Sequence, residues 1–155
     1  MTSEHSGMRP TGRGPGRVIL VIYCIFALAA GARAGVQIAT KFGEAPLAYS
    51  LSAVAAVIYL VAAIALSRNS TAGRRVALVS IVVELVGVIV VGLLSVFDAQ
   101  AFPDATVWSG FGQGYGYVPL VLPFVGLFWL HRTTRPITEP ATKPVTEPVT
   151  NSDGA

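Results

Sequence analysis

The chain has 155 residues, 53% of them hydrophobic and 12% charged, with a formal net charge of +3 and a mean hydropathy of +0.64. Soluble domains carry roughly 25% charged residues, so this composition excludes an ordinary water-soluble fold and makes the lipid bilayer the first partner. Nothing in it calls for nucleic acid, and one small helical bundle uses the whole length.

Residues 1–17 mix Gly, Pro, Ser, Thr and Arg and read as a basic, disordered cytoplasmic tail. The first apolar span, 18–39, is interrupted by Arg33. Along it Ala27, Gly31, Gly35 and Ala39 recur every four residues, a helix-packing stripe that lets another backbone approach closely. Arg33 and Gln37 fall opposite that stripe on a helical wheel. The reading is a helix central to the bundle, or one that bridges to a second copy. A rival reading is a secretory signal, with a basic start and small residues at Ala30/Ala32 or Ala32/Ala34 resembling a cleavage site. Cys24 is the single cysteine, and the histidines, His5 and His131, lie in the tail and at the membrane edge. Neither a disulfide, a metal site, another cofactor nor a histidine-based catalytic centre is expected.

The second span, 46–66, places Ser52, Ala56, Tyr59 and Ala63 on one face. The loop 67–75 carries Arg68, Arg74 and Arg75, an orientation and anionic-lipid signal. The third span, 76–97, holds Glu84, the one acidic residue inside the long hydrophobic stretches. Hydrocarbon does not solvate a carboxylate, so Glu84 must be paired, protonated or wetted by a cavity. Ser80, Gly87 and Ser95 share its face. A rise of about 1.5 Å per residue puts Tyr59 at a similar depth, where its hydroxyl could bond a protonated Glu84. Arg33 has the opposite charge but stands about 10 Å further out along the bundle axis, so without a tilt or a bridging water it snorkels outward.

The outer connection, 98–116, alternates Gly110, Gly112, Gly114 and Gly116 with Phe111, Gln113 and Tyr115. That glycine density predicts an extended or turning segment, pinned at the interface by Trp108, Tyr115 and Tyr117. Its Gly114-Tyr115-Gly116 echoes a potassium filter, but Gln113 replaces the residues that should precede it and Pro103 disrupts the required pore helix. The last span, 117–130, is short and holds Pro119 and Pro123, so it is tilted, kinked or lengthened by part of 108–116. Residues 132–155 form a Pro/Thr-rich tail with proline at every fourth position from Pro136 to Pro148, read as solvated and disordered. A polyproline-like docking strip or a phosphorylatable Thr tract is the alternative. Nine of the eleven Lys and Arg residues fall on the side of the tails and the 67–75 loop, which makes both termini cytoplasmic in a plasma-membrane protein.

The segments Arg33-Ala-Gly-Val-Gln-Ile-Ala-Thr, Ala45-Pro-Leu-Ala-Tyr-Ser-Leu-Ser, Glu84-Leu-Val-Gly-Val and Ala105-Thr-Val-Trp-Ser-Gly-Phe-Gly-Gln-Gly-Tyr-Gly-Tyr-Val-Pro-Leu-Val-Leu-Pro resemble small four-span integral membrane proteins of actinobacteria. The resemblance covers residues 18–131 and implies four spans without implying an activity. Small multidrug exporters also have four short helices, but their essential glutamate lies in the first helix, where this chain carries Arg33. DoxX-like proteins share the span count and no motif.

Together these readings predict an all-α membrane protein, a bundle of four transmembrane helices with disordered cytoplasmic tails. It is non-enzymatic, an accessory or interaction subunit joined to itself or to another membrane protein. The alternative is a small proton-coupled carrier in which Glu84 titrates and Arg33, Gln37 and Tyr59 line the path.

Overall fold

The computed structural model describes residues 14–68 and 70–133; of the tails read as disordered, 1–17 and 132–155, most lies outside the described residues, while Pro15 to Arg17 and Arg132 are helical, in α1 and α4. Four α-helices make the fold: α1 (Pro15–Lys41), α2 (Pro46–Ser67), α3 (Thr71–Phe97) and α4 (Val118–Arg132), with a short 3-10 turn at Ala99–Ala101 and a longer 3-10 segment at Ser109–Tyr115 before α4. No strand occurs among the described residues. By length and composition α1, α2 and α3 could each cross a membrane; the 3-10 segment and α4 would add a fourth crossing if counted as one span bent by 97°.

Local chemistry moves the ends away from those expected from hydropathy. Proline is pre-organised for the first helical turn, and Pro15 starts α1 before the apolar run begins. Ser70 caps α3, its Oγ accepting from the Gly73 N–H at 3.0 Å. The expected 67–75 loop therefore shrinks, because Thr71 to Arg75 already form the first turn of α3. Gly73 lets that turn close, since a Cβ there would stand 2.9 Å from the Ala65 and Arg68 carbonyl oxygens. Arg33 does not break α1, whose guanidinium finds partners without disturbing the backbone.

α1 packs chiefly on α2, α2 on α3, and α3 on α4 and the 3-10 segment, while α1 and α4 touch only lightly. The first helix is thus peripheral rather than central, and α3 takes the middle position. The stripe Ala27, Gly31, Gly35, Ala39 packs inside the chain only in its first half: Ala27 borders the core and Gly31 faces Ala56 of α2, whereas Gly35 and Ala39 are exposed, and a Cβ on Gly35 would meet nothing within 4 Å. Ile19, Tyr23, Ala30, Ala34 and Gln37 are buried instead. Spacings of seven, four and three from Tyr23 through Ala30 and Ala34 to Gln37 make an equally good helical face.

The outer connection folds inward as tight turns rather than as an extended strip. Gly110, Phe111 and Gly112 all have left-handed backbone angles, with φ of 55°, 61° and 81°. The turn seats two rings on glycines of α3: Cβ atoms at Gly87 and Gly92 would lie 2.7 Å from the Trp108 and Phe111 rings. Trp108 is 3% exposed, a core residue and not the interfacial anchor expected. Tyr117 is half-exposed. Pro119 and Pro123 are buried in α4, and Pro119 closes against Gly112.

Candidate functional site

Glu84 lies near the middle of α3 and is 0% exposed. The Tyr23 hydroxyl donates to its Oε2 at 2.6 Å. Its Oε1 has no hydrogen-bond partner among the described residues. Tyr59, the neighbour expected from depth, stands beside this pair but bonds elsewhere: its hydroxyl accepts from the Trp108 indole N–H at 2.9 Å. The Tyr23 and Tyr59 rings are 6.1 Å apart. The predicted Tyr59–Glu84 hydrogen bond is therefore replaced by Tyr23–Glu84, because Tyr23 on α1 faces inward together with Ala30 and Ala34. Tyr23 was missed because it occurs in an otherwise apolar run without a polar neighbour to mark its face.

No arginine or lysine reaches Glu84 among the described ion pairs. A buried carboxylate needs a compensating charge or several donors, and one phenol is less than either. The geometry suits a neutral carboxylic acid enclosed beside Tyr23 of α1 and Tyr59 of α2, with the Trp108 ring seated on Gly87 one turn further along α3.

Arg33 and Gln37 belong to a second cluster at the opposite end of α1 from Pro15. The Arg33 guanidinium donates to the Tyr115 hydroxyl at 3.2 Å and the Ala105 carbonyl at 3.2 Å, and lies 3.9 Å from the Asp104 carboxylate. Gln37 Nε2 and the Tyr49 hydroxyl donate to Asp104 Oδ2 at 3.2 and 3.0 Å, with Lys41 Nζ 3.7 Å from the same oxygen. The Arg33–Glu84 pair does not form; the outward course expected for Arg33 is the one it takes. Partial burial works against ionisation of Asp104, but the Tyr49 hydroxyl, the Ala105 N–H and the charges of Lys41 and Arg33 outweigh it and hold the carboxyl below its ordinary range.

Sequence reasoning brought Arg33 and Gln37 to one face but gave no sign of Asp104, whose place depends on how the loop folds back. The two clusters are joined by aromatic contacts. Phe26 packs on Tyr59 with ring centroids 5.7 Å apart and on Tyr115 at 5.9 Å. The four residues proposed as one polar site thus split into Glu84 with Tyr59 nearby, and Arg33 with Gln37 bound to the outer loop.

Among the described residues no group of His, Cys, Asp and Glu could hold a metal ion. Cys24 is exposed. No protein-family model matches the chain, and neither a curated protein nor a solved structure does.

Proposed function

We propose that the chain is a non-enzymatic, multi-pass integral membrane protein: a four-span bundle in the plasma membrane with both termini cytoplasmic, serving as an accessory or interaction subunit. Kinship with the small four-span proteins of actinobacteria belongs to the same reading. The observation that carries it is the sealing of Glu84, fully buried and bonded to Tyr23. A carrier needs its titrating group in reach of water, whereas a packing role needs it closed off.

Charge placement supports the orientation. Arg17, Arg68, Arg74, Arg75 and Arg132 gather at the end shared by the start of α1 and the end of α4, while Glu44, Asp98 and Asp104 occupy the other. α4 spans only about 22 Å at 1.5 Å per residue, short of a core of roughly 30 Å, and the 3-10 segment meets it at 97°, so the fourth span is a short one that local thinning of the bilayer would accommodate. The exposed Gly35 and Ala39 edge of α1 supplies a surface where another helix could approach.

Recovery from mild detergent tests the subunit role: co-purification with a second membrane protein is expected, and a free monomer under several detergents would overturn it. The carrier alternative draws on one observation, the unpartnered Oε1 of Glu84. A water-soluble carbodiimide separates the two. Sealed packing predicts an unmodified Glu84 in the folded protein, and labelling there would establish the carrier's water path.

A further inference from the structure

α1 and α4 touch lightly, and they come close at the start of α1. There the Trp129 ring lies over Gly16, so closely that a Cβ on Gly16 would stand 2.3 Å from it. Beyond that contact the helices part and leave a groove of about 1000 Å³, with Gly116 at its far end. Its sides are Val18, Ile19 and Ile22 on α1 and Val121, Leu122 and Val125 on α4. From Val118 to Phe128 it follows α4 for about 15 Å. Among the described residues its one charged lining residue is Arg132, with the guanidinium 4.5 Å from the centre of the Phe128 ring. No carboxylate among the described residues pairs with Arg132.

We propose that this groove is a binding site for an anionic phospholipid, one acyl chain lying between α1 and α4 and the phosphate headgroup on Arg132. The inference rests on the membrane reading above. An apolar groove open to hydrocarbon fills with hydrocarbon, and burial there gives no preference between lipids because the surrounding tails are equally apolar. Selectivity comes from charge. Arg132 stands at the basic end of the molecule, the level of the headgroups in this topology, and guanidinium matches phosphate in geometry as well as sign. A second copy fits less well: groove-to-groove pairing about a twofold axis along the membrane normal would bring two Arg132 residues to the same level without an intervening acid among the described residues.

Native mass spectrometry of the full chain, released from mild detergent with dioleoyl phosphatidylglycerol or dioleoyl phosphatidylcholine, tests the site. The wild type is expected to retain one phosphatidylglycerol in preference to phosphatidylcholine by roughly fivefold, the worth of one basic residue facing anionic lipid. Arg132→Gln should bring the two lipids to near parity. Val125→Trp should obstruct the middle of the groove and weaken retention of both, with helicity by circular dichroism unchanged. Parity in the wild type, a preference surviving Arg132→Gln, or a lipid-free dimer would overturn the proposal. Should Val125→Trp fail to fold, Arg132→Gln decides alone, since it alters an exposed side chain. Alkaline carbonate extraction keeps the two readings apart: a chain released as soluble protein refutes the membrane reading itself, while a chain that stays with the membrane yet shows no lipid preference refutes only the site.

Discussion

Glu84 depends on one phenol. Tyr23→Phe removes the donor to Oε2 and leaves both carboxyl oxygens without a protein partner, which should lower stability in detergent by about 0.6–2 kcal/mol, the range for interhelical hydrogen bonds in membranes. Glu84→Gln keeps the shape and an acceptor for Tyr23, so thermal unfolding should change by less than about 1 kcal/mol. Replacing both partners, Tyr23→Phe with Glu84→Leu, should recover most of the loss, because no polar group is then left unpaired. A double variant no more stable than Tyr23→Phe alone would show that the site is held by something other than this bond. Glu84 could be picked out in the sequence because an acid in an apolar run has no solvent to turn to. Its partner could not, since a tyrosine is common on either face of such a helix and the choice is made by how α1 rotates against α2.

At the level of elements, glycine marks where the loop and helices interlock. Gly87 lies under Trp108 and Gly92 under Phe111. Gly87→Ala should force the Trp108 ring off its seat at a cost of about 1–3 kcal/mol, whereas Gly35→Ala, with open space around it, should shift stability by under about 0.5 kcal/mol. Thermal unfolding of the two variants side by side checks the contrast, and equal effects would contradict the packing described. Three long helices were legible from hydropathy because about 20 apolar residues have few other uses. Which face of α1 turns inward was not: in a stretch rich in glycine and alanine, Ala30 and Ala34 are small enough to serve a packing face as well as Gly31 and Gly35, and a rotation by one residue exchanges them. The turning of the outer loop was legible in its own glycines, three of which have left-handed angles, but its inward seating was not, since that depends on Gly87 and Gly92 of a different element.

Across the whole molecule, Asp104 fastens the outer connection to α1 and α2 through Gln37, Tyr49, Lys41 and Arg33. Its carboxyl is held below the ordinary range in the folded chain, so its contribution to stability is complete above the unfolded value and is lost as pH falls through the lowered folded one. Melting temperature against pH should therefore show the wild type ahead of Asp104→Asn at neutral pH, with the gap closing in acid below the usual carboxylate range. A gap that persists there would mean that ionisation of Asp104 is irrelevant to the fold. The inward seating of Trp108 also equips the molecule with its own optical reporter. The chain has two tryptophans, one beneath the outer loop against Tyr59 and one at the far end over Gly16. With Trp129 changed to phenylalanine, all remaining indole emission comes from beside Tyr59, and its colour and quenching would follow the docking of the outer loop without any added dye.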